Sequence, residues 1–173
     1  MRLSERPLID EEQIAARVGE MAKAITEDFR GCDLVLMIVL KGAAVFASDL
    51  ARKMTTPVTL EFVRAQSYEG TESTGHVRFD FSHRLPLQGK HVLIVEDIVD
   101  TGRTTADLTD RLRAENPSRV ALCAFLDKPA RRVVPMRADY VGFTVDDEFV
   151  VGYGLDFEER HRELPAVHVL FPD

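Results

Sequence analysis

Residues 91–108 read HVLIVEDIVDTGRTTADL, and this stretch decides the fold. It opens with a continuous run of Val, Leu and Ile, which is typical of a strand covered on both faces. Glu96, Asp97 and Asp100 follow, and a Thr/Gly turn then leads into a helix that carries Leu108. Buried acids are costly without partners, so these three must meet solvent, a ligand or a metal.

The pattern of an apolar run followed by a helix is repeated on both sides of this stretch. Asp10 and Gln13 predict a capping box at the start of a helix that ends before Gly31. A second helix is predicted over 43–54, and a third runs from the Thr/Gly turn to Pro117. Strands are predicted at 33–40, 59–66, 76–81, 91–96, 119–126 and 138–145. This alternation predicts an α/β fold with a mostly parallel sheet flanked by helices.

Size and charge narrow the class of protein. A chain of 173 residues with 45% hydrophobic content predicts one domain spanning 1–173, because it is too short for two. The net charge is −7, and the sequence shows no basic segment of the kind that nucleic-acid-binding proteins carry. We therefore expect no nucleic-acid partner. No apolar run approaches ~18 residues, and the N-terminal MRLSERPLIDEEQ lacks the apolar core of a signal peptide. We therefore expect a cytoplasmic protein that does not enter a membrane.

Three of the predicted strands end in polar side chains. Ligands of parallel α/β sheets bind at the carboxyl ends of the strands, so the site is expected where these ends meet. The residues at the three ends are Lys41 and Gly42, Glu96 and Asp97, and Asp127 and Lys128.

The turn DTGRTT, residues 100–105, has the composition of a phosphate site. Gly102 allows a sharp bend, and consecutive N–H groups at a helix start bind phosphate. The chain has neither G-x-x-x-x-G-K-[ST] nor G-x-G-x-x-G after a strand, which argues against ATP hydrolysis and dinucleotide binding. The expected phosphate ligands are Thr101, Gly102, Arg103, Thr104 and Thr105.

The neighbouring acids indicate what is attached to the phosphate. Glu96 and Asp97 would repel a phosphate, but they can accept hydrogen bonds from hydroxyls or hold a metal. Ribose 5-phosphate meets both requirements: its phosphate would bind to the turn, and its 2- and 3-hydroxyls would donate to the two acids. Asp100 is then left over, either as a general base near the anomeric carbon or as a helix N-cap.

A family resemblance follows from these residues. The segment VLIVEDIVDTGRT, residues 92–104, resembles the thirteen-residue phosphoribosyl diphosphate motif of the type I phosphoribosyltransferases. Four further segments resemble the hypoxanthine-guanine phosphoribosyltransferases, namely VLKGA (39–43), SYEGT (67–71), FLDKPARR (125–132) and DEFVVGYGLDFEERHREL (147–164). One departure is Arg103, where many family members have lysine; the charge is kept, so we expect only adjusted phosphate contacts.

The resemblance implies a fold and a reaction. The fold would be that of a type I phosphoribosyltransferase, with a small hood over the site built from the terminal segments. A purine, hypoxanthine or guanine, would displace diphosphate from C1 of phosphoribosyl diphosphate to give IMP or GMP, with Mg²⁺ as cofactor. Asp100 would accept the proton of purine N7, and together with Glu96, Asp97 and the turn it would contact the phosphoribosyl group.

The resemblance also implies roles for residues elsewhere in the chain. Diphosphate would be bound by Lys41, Gly42 and Arg162. The purine would be bound by Lys128, Phe149, Val150 and Asp156, with Lys128 donating to the 6-oxo group. Magnesium would be held by Glu96, Asp97 and Asp156. A lid would present Ser67 and Tyr68, whereas Arg131 and Arg132 are interpreted as surface charges.

Two alternatives keep the fold and change the function. One is a phosphoribosyltransferase for xanthine, orotate or uracil, and the other is a non-catalytic regulator that senses phosphoribosyl diphosphate. Asp100, Lys128 and Phe149 favour a 6-oxopurine, and the acidic chain disfavours a nucleic-acid-binding regulator. The resemblance further predicts a homo-oligomer, a dimer or a tetramer.

Overall fold

The computed structural model of the protein describes residues 1–67, 77–82 and 86–172. The helices are α1 (Glu11–Asp28), α2 (Ala44–Lys53) and α3 (Arg103–Arg113), and a single 3-10 turn covers Pro129–Arg131. The strands are β1 (Arg2–Leu3), β2 (Leu34–Leu40), β3 (Val58–Ser67), β4 (Val77–Phe81), β5 (His91–Val99), β6 (Arg119–Asp127), β7 (Tyr140–Thr144), β8 (Val150–Val151) and β9 (His168–Phe171). No helix in these ranges is both long and apolar enough to cross a membrane.

The central sheet has the strand order β4-β3-β2-β5-β6-β7. Every neighbouring pair is parallel except β3 and β4, which run antiparallel at one edge. The apolar runs of β2, β5 and β6 lie in the middle, where helices cover both faces, and this explains their continuous hydrophobicity. The predicted mostly parallel α/β fold is confirmed.

Two apolar cores flank the sheet. One core packs α1 and α2 against one face and includes Ile25, Phe46, Leu50 and Phe125. The other packs α3 against the opposite face through Leu108 and Leu112. Successive apolar side chains of each central strand therefore pack alternately into one core and the other.

Helix α1 begins at the predicted capping box. Asp10 Oδ1 accepts a hydrogen bond from the Gln13 N–H at 2.8 Å, and Gln13 Oε1 accepts one from the Asp10 N–H at 3.0 Å. The helix ends at Asp28, before Gly31, as the sequence predicts. Its apolar stripe faces the sheet, so the local sequence alone was sufficient to place this element.

Strand β5 is longer than the sequence predicts. The prediction ended the strand at Glu96, but the ladder with β6 continues to Val99, which lies opposite Asp127. The pairing partner β6 is equally long, so backbone hydrogen bonding extends past the point where the side chains become polar. Glu96 is consequently a strand residue, as predicted, and is only 7% exposed, whereas the prediction that the strand ends there is wrong, because Asp97 also belongs to it.

The terminal segments form a second sheet in the order β1-β9-β8. Arg2 lies opposite Phe171, and Val150 lies opposite Val169. No strand was predicted at Arg2 and Leu3, because strands of two residues are too short to carry a periodic pattern. The terminal segments thus pair with each other, while their role as a hood over the site stays a prediction.

Candidate active site

A pocket of ≈ 200 Å³ lies at the Thr/Gly turn after β5. Gly102 has a φ of 80°, a left-handed conformation that favours glycine, and α3 starts directly after it without a side-chain cap. The first N–H groups of such a helix have no intrahelical acceptor, so this end can accept an anion. The pocket is lined by Val39, Ala65, Glu96, Asp97, Ile98, Asp100, Thr101, Gly102, Thr104 and Thr105.

The paired acids lie side by side at the wall of this pocket. Oε2 of Glu96 is buried and has no hydrogen-bond partner among the described residues. Burial, followed by the charge of Asp97, raises the pKa of Glu96 well above its ordinary value. Oδ1 of Asp97 accepts a hydrogen bond from the N–H of Ile98 at 2.9 Å. The two carboxyl groups therefore offer oxygen acceptors that protein groups only partly use.

Gly42 brings the loop after β2 against these acids. A side-chain Cβ at this position would overlap the carboxylate of Asp97, so only glycine permits the approach. A Cβ on Gly154, whose φ is 98°, would likewise lie only 2.2 Å from the backbone carbonyl oxygen of Gly42. Three distant segments of the chain thus meet at one point because two of them lack a side chain there.

A second pocket, of ≈ 240 Å³, lies on the other side of Asp100. Lys128 is only 6% exposed, and its Nζ donates a hydrogen bond to the carbonyl of Glu148. Phe149 is 51% exposed and packs edge-on against Phe157, with ring centroids 5.7 Å apart. The pocket is lined by Asp97, Ile98, Asp100, Lys128, Arg131, Phe149, Val150, Leu155 and Asp156.

The two pockets share a wall. Asp97, Ile98 and Asp100 line both, so Asp100 stands between the Thr/Gly turn and the pair formed by Lys128 and Phe149. A ligand with a phosphate at one end and a flat ring at the other would pass Asp100 at its middle. The predicted phosphoribosyl and purine residues are therefore brought together around this one acid, except Arg103, which is exposed and lines neither pocket.

The cations expected to bind diphosphate contact carboxylates of the protein. Lys41 Nζ lies 2.7 Å from Glu159 Oε2, and this contact lowers the pKa of Glu159. Arg162 Nη2 lies 2.7 Å from Asp156 Oδ1, and its Nη1 donates to the carbonyl of Gly154 at 2.7 Å. The loop after β2 and the segment 154–162 are thus joined by charge as well as by glycine packing.

Two arginines interpreted as surface charges differ in exposure: Arg131 is exposed as predicted and lines the second pocket, whereas the interpretation is wrong for Arg132, which is largely buried. Arg131 Nε lies 3.1 Å from Asp100 Oδ1, and Nη1 lies 3.4 Å from Asp147. The side chain of Arg132 is only 14% exposed and pairs with Asp127. The position of Arg131 shortly after the end of β6 was the available signal, because ligands of parallel α/β sheets bind at the carboxyl ends of the strands.

The structure describes all the predicted metal ligands but only one of the two predicted lid residues. The described part of the chain holds no cluster of three or more His, Cys, Asp or Glu side chains arranged for a metal ion. Asp156, predicted as a third ligand, is engaged through Oδ1 by Arg162 and through Oδ2 by the N–H of Glu159. Ser67 ends β3, whereas Tyr68 lies outside the described residues.

Comparisons with known proteins point in the same direction. A family model, described as the phosphoribosyl transferase domain, matches residues 8–158. The hypoxanthine phosphoribosyltransferase of Salmonella typhimurium is 40% identical over 163 residues, which cover 92% of each chain. The bifunctional protein TilS/HprT of Listeria innocua is 40% identical over 170 residues; these are 98% of this chain, which spans only 26% of that protein's length.

A solved structure extends the similarity to three dimensions. A hypoxanthine-guanine phosphoribosyltransferase from Bacillus anthracis superposes with a TM-score of 0.91 at 42% identity. The match covers 98% of this chain and 100% of that one. The similarity therefore extends over nearly the whole fold of this chain.

Proposed function

The chain belongs to the phosphoribosyltransferase family, and we propose that it transfers the 5-phosphoribosyl group from phosphoribosyl diphosphate to hypoxanthine or guanine, forming IMP or GMP and diphosphate. The observation that carries this proposal is the shared wall at Asp100, with a phosphate-type turn on one side and a buried lysine beside an exposed aromatic ring on the other. The names of the Salmonella and Bacillus relatives support the choice of base.

The phosphoribosyl group would occupy the pocket at the turn. Its 5-phosphate would accept hydrogen bonds from the turn and from Thr101, Thr104 and Thr105, with Arg103 adding positive charge. The ribose 2- and 3-hydroxyls would donate to Glu96 and Asp97, whose acceptor oxygens are only partly used by the protein. This placement leaves C1 of the ribose facing Asp100.

Asp100 would accept the proton that purine N7 releases as the new bond forms at N9. Arg131 is within ion-pair distance of Oδ1, yet it is not aligned for a hydrogen bond with that oxygen. An acceptor lone pair therefore stays free while the nearby guanidinium holds the carboxylate in place. The negative charge of Asp100 would also stabilise the cationic character that develops on the ribose.

Lys128 and Phe149 would select the base. A lysine has three donors and no acceptor, so Lys128 matches a 6-oxo group and faces the 6-amino donors of adenine unfavourably. Its burial makes an unmatched contact more costly. Phe149 offers a ring face for stacking, and the backbone of Val150 would meet the polar edge of the purine.

The diphosphate would be bound by Lys41, Arg162 and the backbone at Gly42. Both cations are paired with carboxylates in the ligand-free protein, so diphosphate would replace Glu159 at Lys41 and share Arg162 with Asp156. The absence of a side chain at Gly42 lets the leaving group approach the backbone N–H groups of this loop.

The acids present fit magnesium. Glu96 has a buried oxygen without a partner, Asp97 lies beside it, and magnesium commonly combines one or two carboxylates with substrate phosphates and water. Glu96, Asp97 and Asp156 would hold the ion, with Asp156 released from part of its contact with Arg162. When bound, magnesium neutralises negative charge on the departing diphosphate.

Further properties belong to the same proposal. Residues 1–173 would form one domain, and Ser67 with Tyr68 would close over the site, excluding water that could capture the ribosyl cation. The protein would act in the cytoplasm as a dimer or tetramer. Light scattering on the eluting protein measures the oligomeric state, and a monomer at working concentration would contradict that part of the proposal.

The decisive assay is the choice of base. Purified protein with magnesium and phosphoribosyl diphosphate is offered hypoxanthine, guanine, xanthine, adenine and uracil in separate reactions, and the release of diphosphate is measured. We expect release with hypoxanthine, guanine or both, and little with adenine or uracil. Release with xanthine alone would favour the xanthine alternative, and binding of phosphoribosyl diphosphate without any release would favour the regulator.

A further inference from the structure

Arg132 holds the backbone of the Thr/Gly turn. Its Nε donates to the carbonyl of Asp100 at 2.9 Å, and its Nη2 donates to the carbonyl of Val99 at 3.2 Å. On the far side, Nη1 donates to the carbonyl of Met136 at 2.5 Å, and Nη2 also pairs with the carboxylate of Asp127. The guanidinium therefore joins the turn to the end of β6 and to the segment that follows it.

The neighbouring carbonyl is tied to the same segment. The carbonyl of Thr101 accepts a hydrogen bond from the N–H of Val133 at 3.0 Å, and that of Val99 accepts a second one from the N–H of Lys128 at 3.0 Å. Three successive carbonyls of the turn, from Val99 to Thr101, thus face residues 128–133.

This orientation determines where the N–H groups point. In a trans peptide unit the C=O and the N–H of the next residue lie on opposite sides of the chain. Carbonyls of residues 99–101 that face segment 128–133 therefore turn the N–H groups of Asp100, Thr101 and Gly102 away from it. No acceptor for these N–H groups is found within residues 1–67, 77–82 and 86–172.

Gly102 and Arg132 also fit each other sterically. A Cβ on Gly102 would lie 2.9 Å from Cδ of Arg132, so the arginine side chain fills the space that the glycine leaves. Lysine could not replace these contacts, because it lacks the planar fork that reaches three carbonyls and a carboxylate at once.

We propose that Arg132 is a positioning residue for the 5-phosphate: by fixing the carbonyls of Val99 and Asp100, it aims the N–H groups of Asp100 and Thr101 into the phosphate pocket. The inference deepens the proposed function and rests on it for the identity of the ligand. Arg132 itself lines neither of the two pockets at Asp100, so it acts through the turn and not by contact with the substrate.

The test compares ligands with and without the phosphate. Arg132→Lys is expected to weaken the binding of IMP and ribose 5-phosphate by about tenfold or more, because two aimed N–H donors lose their orientation. Binding of inosine, which lacks the phosphate, should change by less than about twofold. Calorimetry gives all three dissociation constants, and Arg137→Lys is the matched control, an exposed arginine five residues along the same segment whose change should leave them unaltered.

A general loss of stability would affect IMP and inosine alike, so the ratio of their dissociation constants separates positioning from mere structural support. An unchanged ratio in folded Arg132→Lys would overturn the proposal.

If that variant does not fold, Asp127→Asn keeps Arg132 and removes its carboxylate partner. We expect about a threefold shift in the same ratio of dissociation constants, and no shift would overturn the proposal equally. Wild-type protein that binds ribose 5-phosphate but transfers nothing to a purine would overturn the proposed function alone.

Discussion

Asp100 combines a nearby cation with a free acceptor oxygen. Arg131 stands 3.1 Å away and lines the pocket that also contains Lys128 and Phe149. Replacement by asparagine keeps the shape of the side chain but removes the ability to accept a proton. We expect Asp100→Asn to lower kcat by about 10²- to 10³-fold while the KM for phosphoribosyl diphosphate changes by less than about threefold.

The control for Asp100 is Asp107→Asn, the same change at an exposed position of α3. Steady-state kinetics with hypoxanthine should find wild-type values for this variant. Turnover of Asp100→Asn within a factor of two of the wild type would remove Asp100 from the role of base.

Glu96 is an acid whose burial has a consequence for stability. Its pKa is raised by burial and by Asp97, so the folded protein binds the proton more tightly than the unfolded chain does. The stabilising contribution of the protonated form is present at low pH and is lost as the pH rises through the folded pKa. Glu96→Gln should therefore stabilise the ligand-free protein increasingly from about pH 5 to about pH 8, by about 1 kcal/mol or roughly 2–4 °C at the upper end.

Thermal unfolding over this pH range tests the sign of the effect. Glu5→Gln, at an exposed position, should give no trend with pH. A stability gain of Glu96→Gln that shrinks as the pH rises would contradict the direction of the pKa shift. The same variant should bind ribose 5-phosphate more weakly, because the ribose loses a charged acceptor.

At the scale of elements, the loop after β2 and the segment 154–162 carry opposing charges. Lys41 and Glu159 are both largely exposed, so the ion pair between them is weak. Glu159 nevertheless pairs with the lysine that we propose binds diphosphate. We expect Glu159→Gln to lower the KM for phosphoribosyl diphosphate by about two- to fivefold, since the ligand no longer competes with a carboxylate.

Glu158→Gln is the matched comparison for this prediction. Glu158 is the preceding residue, is exposed, and has the same left-handed backbone, with a φ of 50° against 64° for Glu159. Both changes remove one negative charge from the same turn. Equal KM values for the two variants would mean that net charge, and not the contact with Lys41, sets the effect.

The elements themselves were largely predictable, and the reason is local. The capping box of α1 is a contact between residues three apart, and the apolar runs of β2, β5 and β6 reflect burial on both faces. The end of β5 was not predictable, because it depends on how far β6 pairs with it.

At the scale of the whole molecule, magnesium should matter for turnover and not for folding. The described residues contain no ready cluster of three metal-ligating side chains, so the ion would bind mainly together with phosphoribosyl diphosphate. A chelator should lower turnover at least about tenfold, with recovery on adding magnesium. The melting temperature of the ligand-free protein should change by less than about 1 °C; a large drop would indicate a resident structural metal instead.

The sequence by itself determined the central parallel sheet and the chemical character of the Thr/Gly turn. The polar residues after the apolar runs also predicted Lys41, Glu96, Asp97 and Lys128 at the strand ends, whereas the aromatic ring of Phe149 was implied only by the family resemblance. These features are encoded by neighbours along the chain, in periodicity, caps and the spacing of polar residues after apolar runs.

The tertiary structure alone decided how those segments meet. Gly42, Asp97 and Gly154 come into contact although each lies more than fifty positions from the next, and Arg132 reaches back to the carbonyls of Val99 and Asp100. The pairing of β1 with β9 joins opposite ends of the chain. Such contacts depend on the packing of whole elements, which no local pattern specifies, and they place Asp100 between the two pockets.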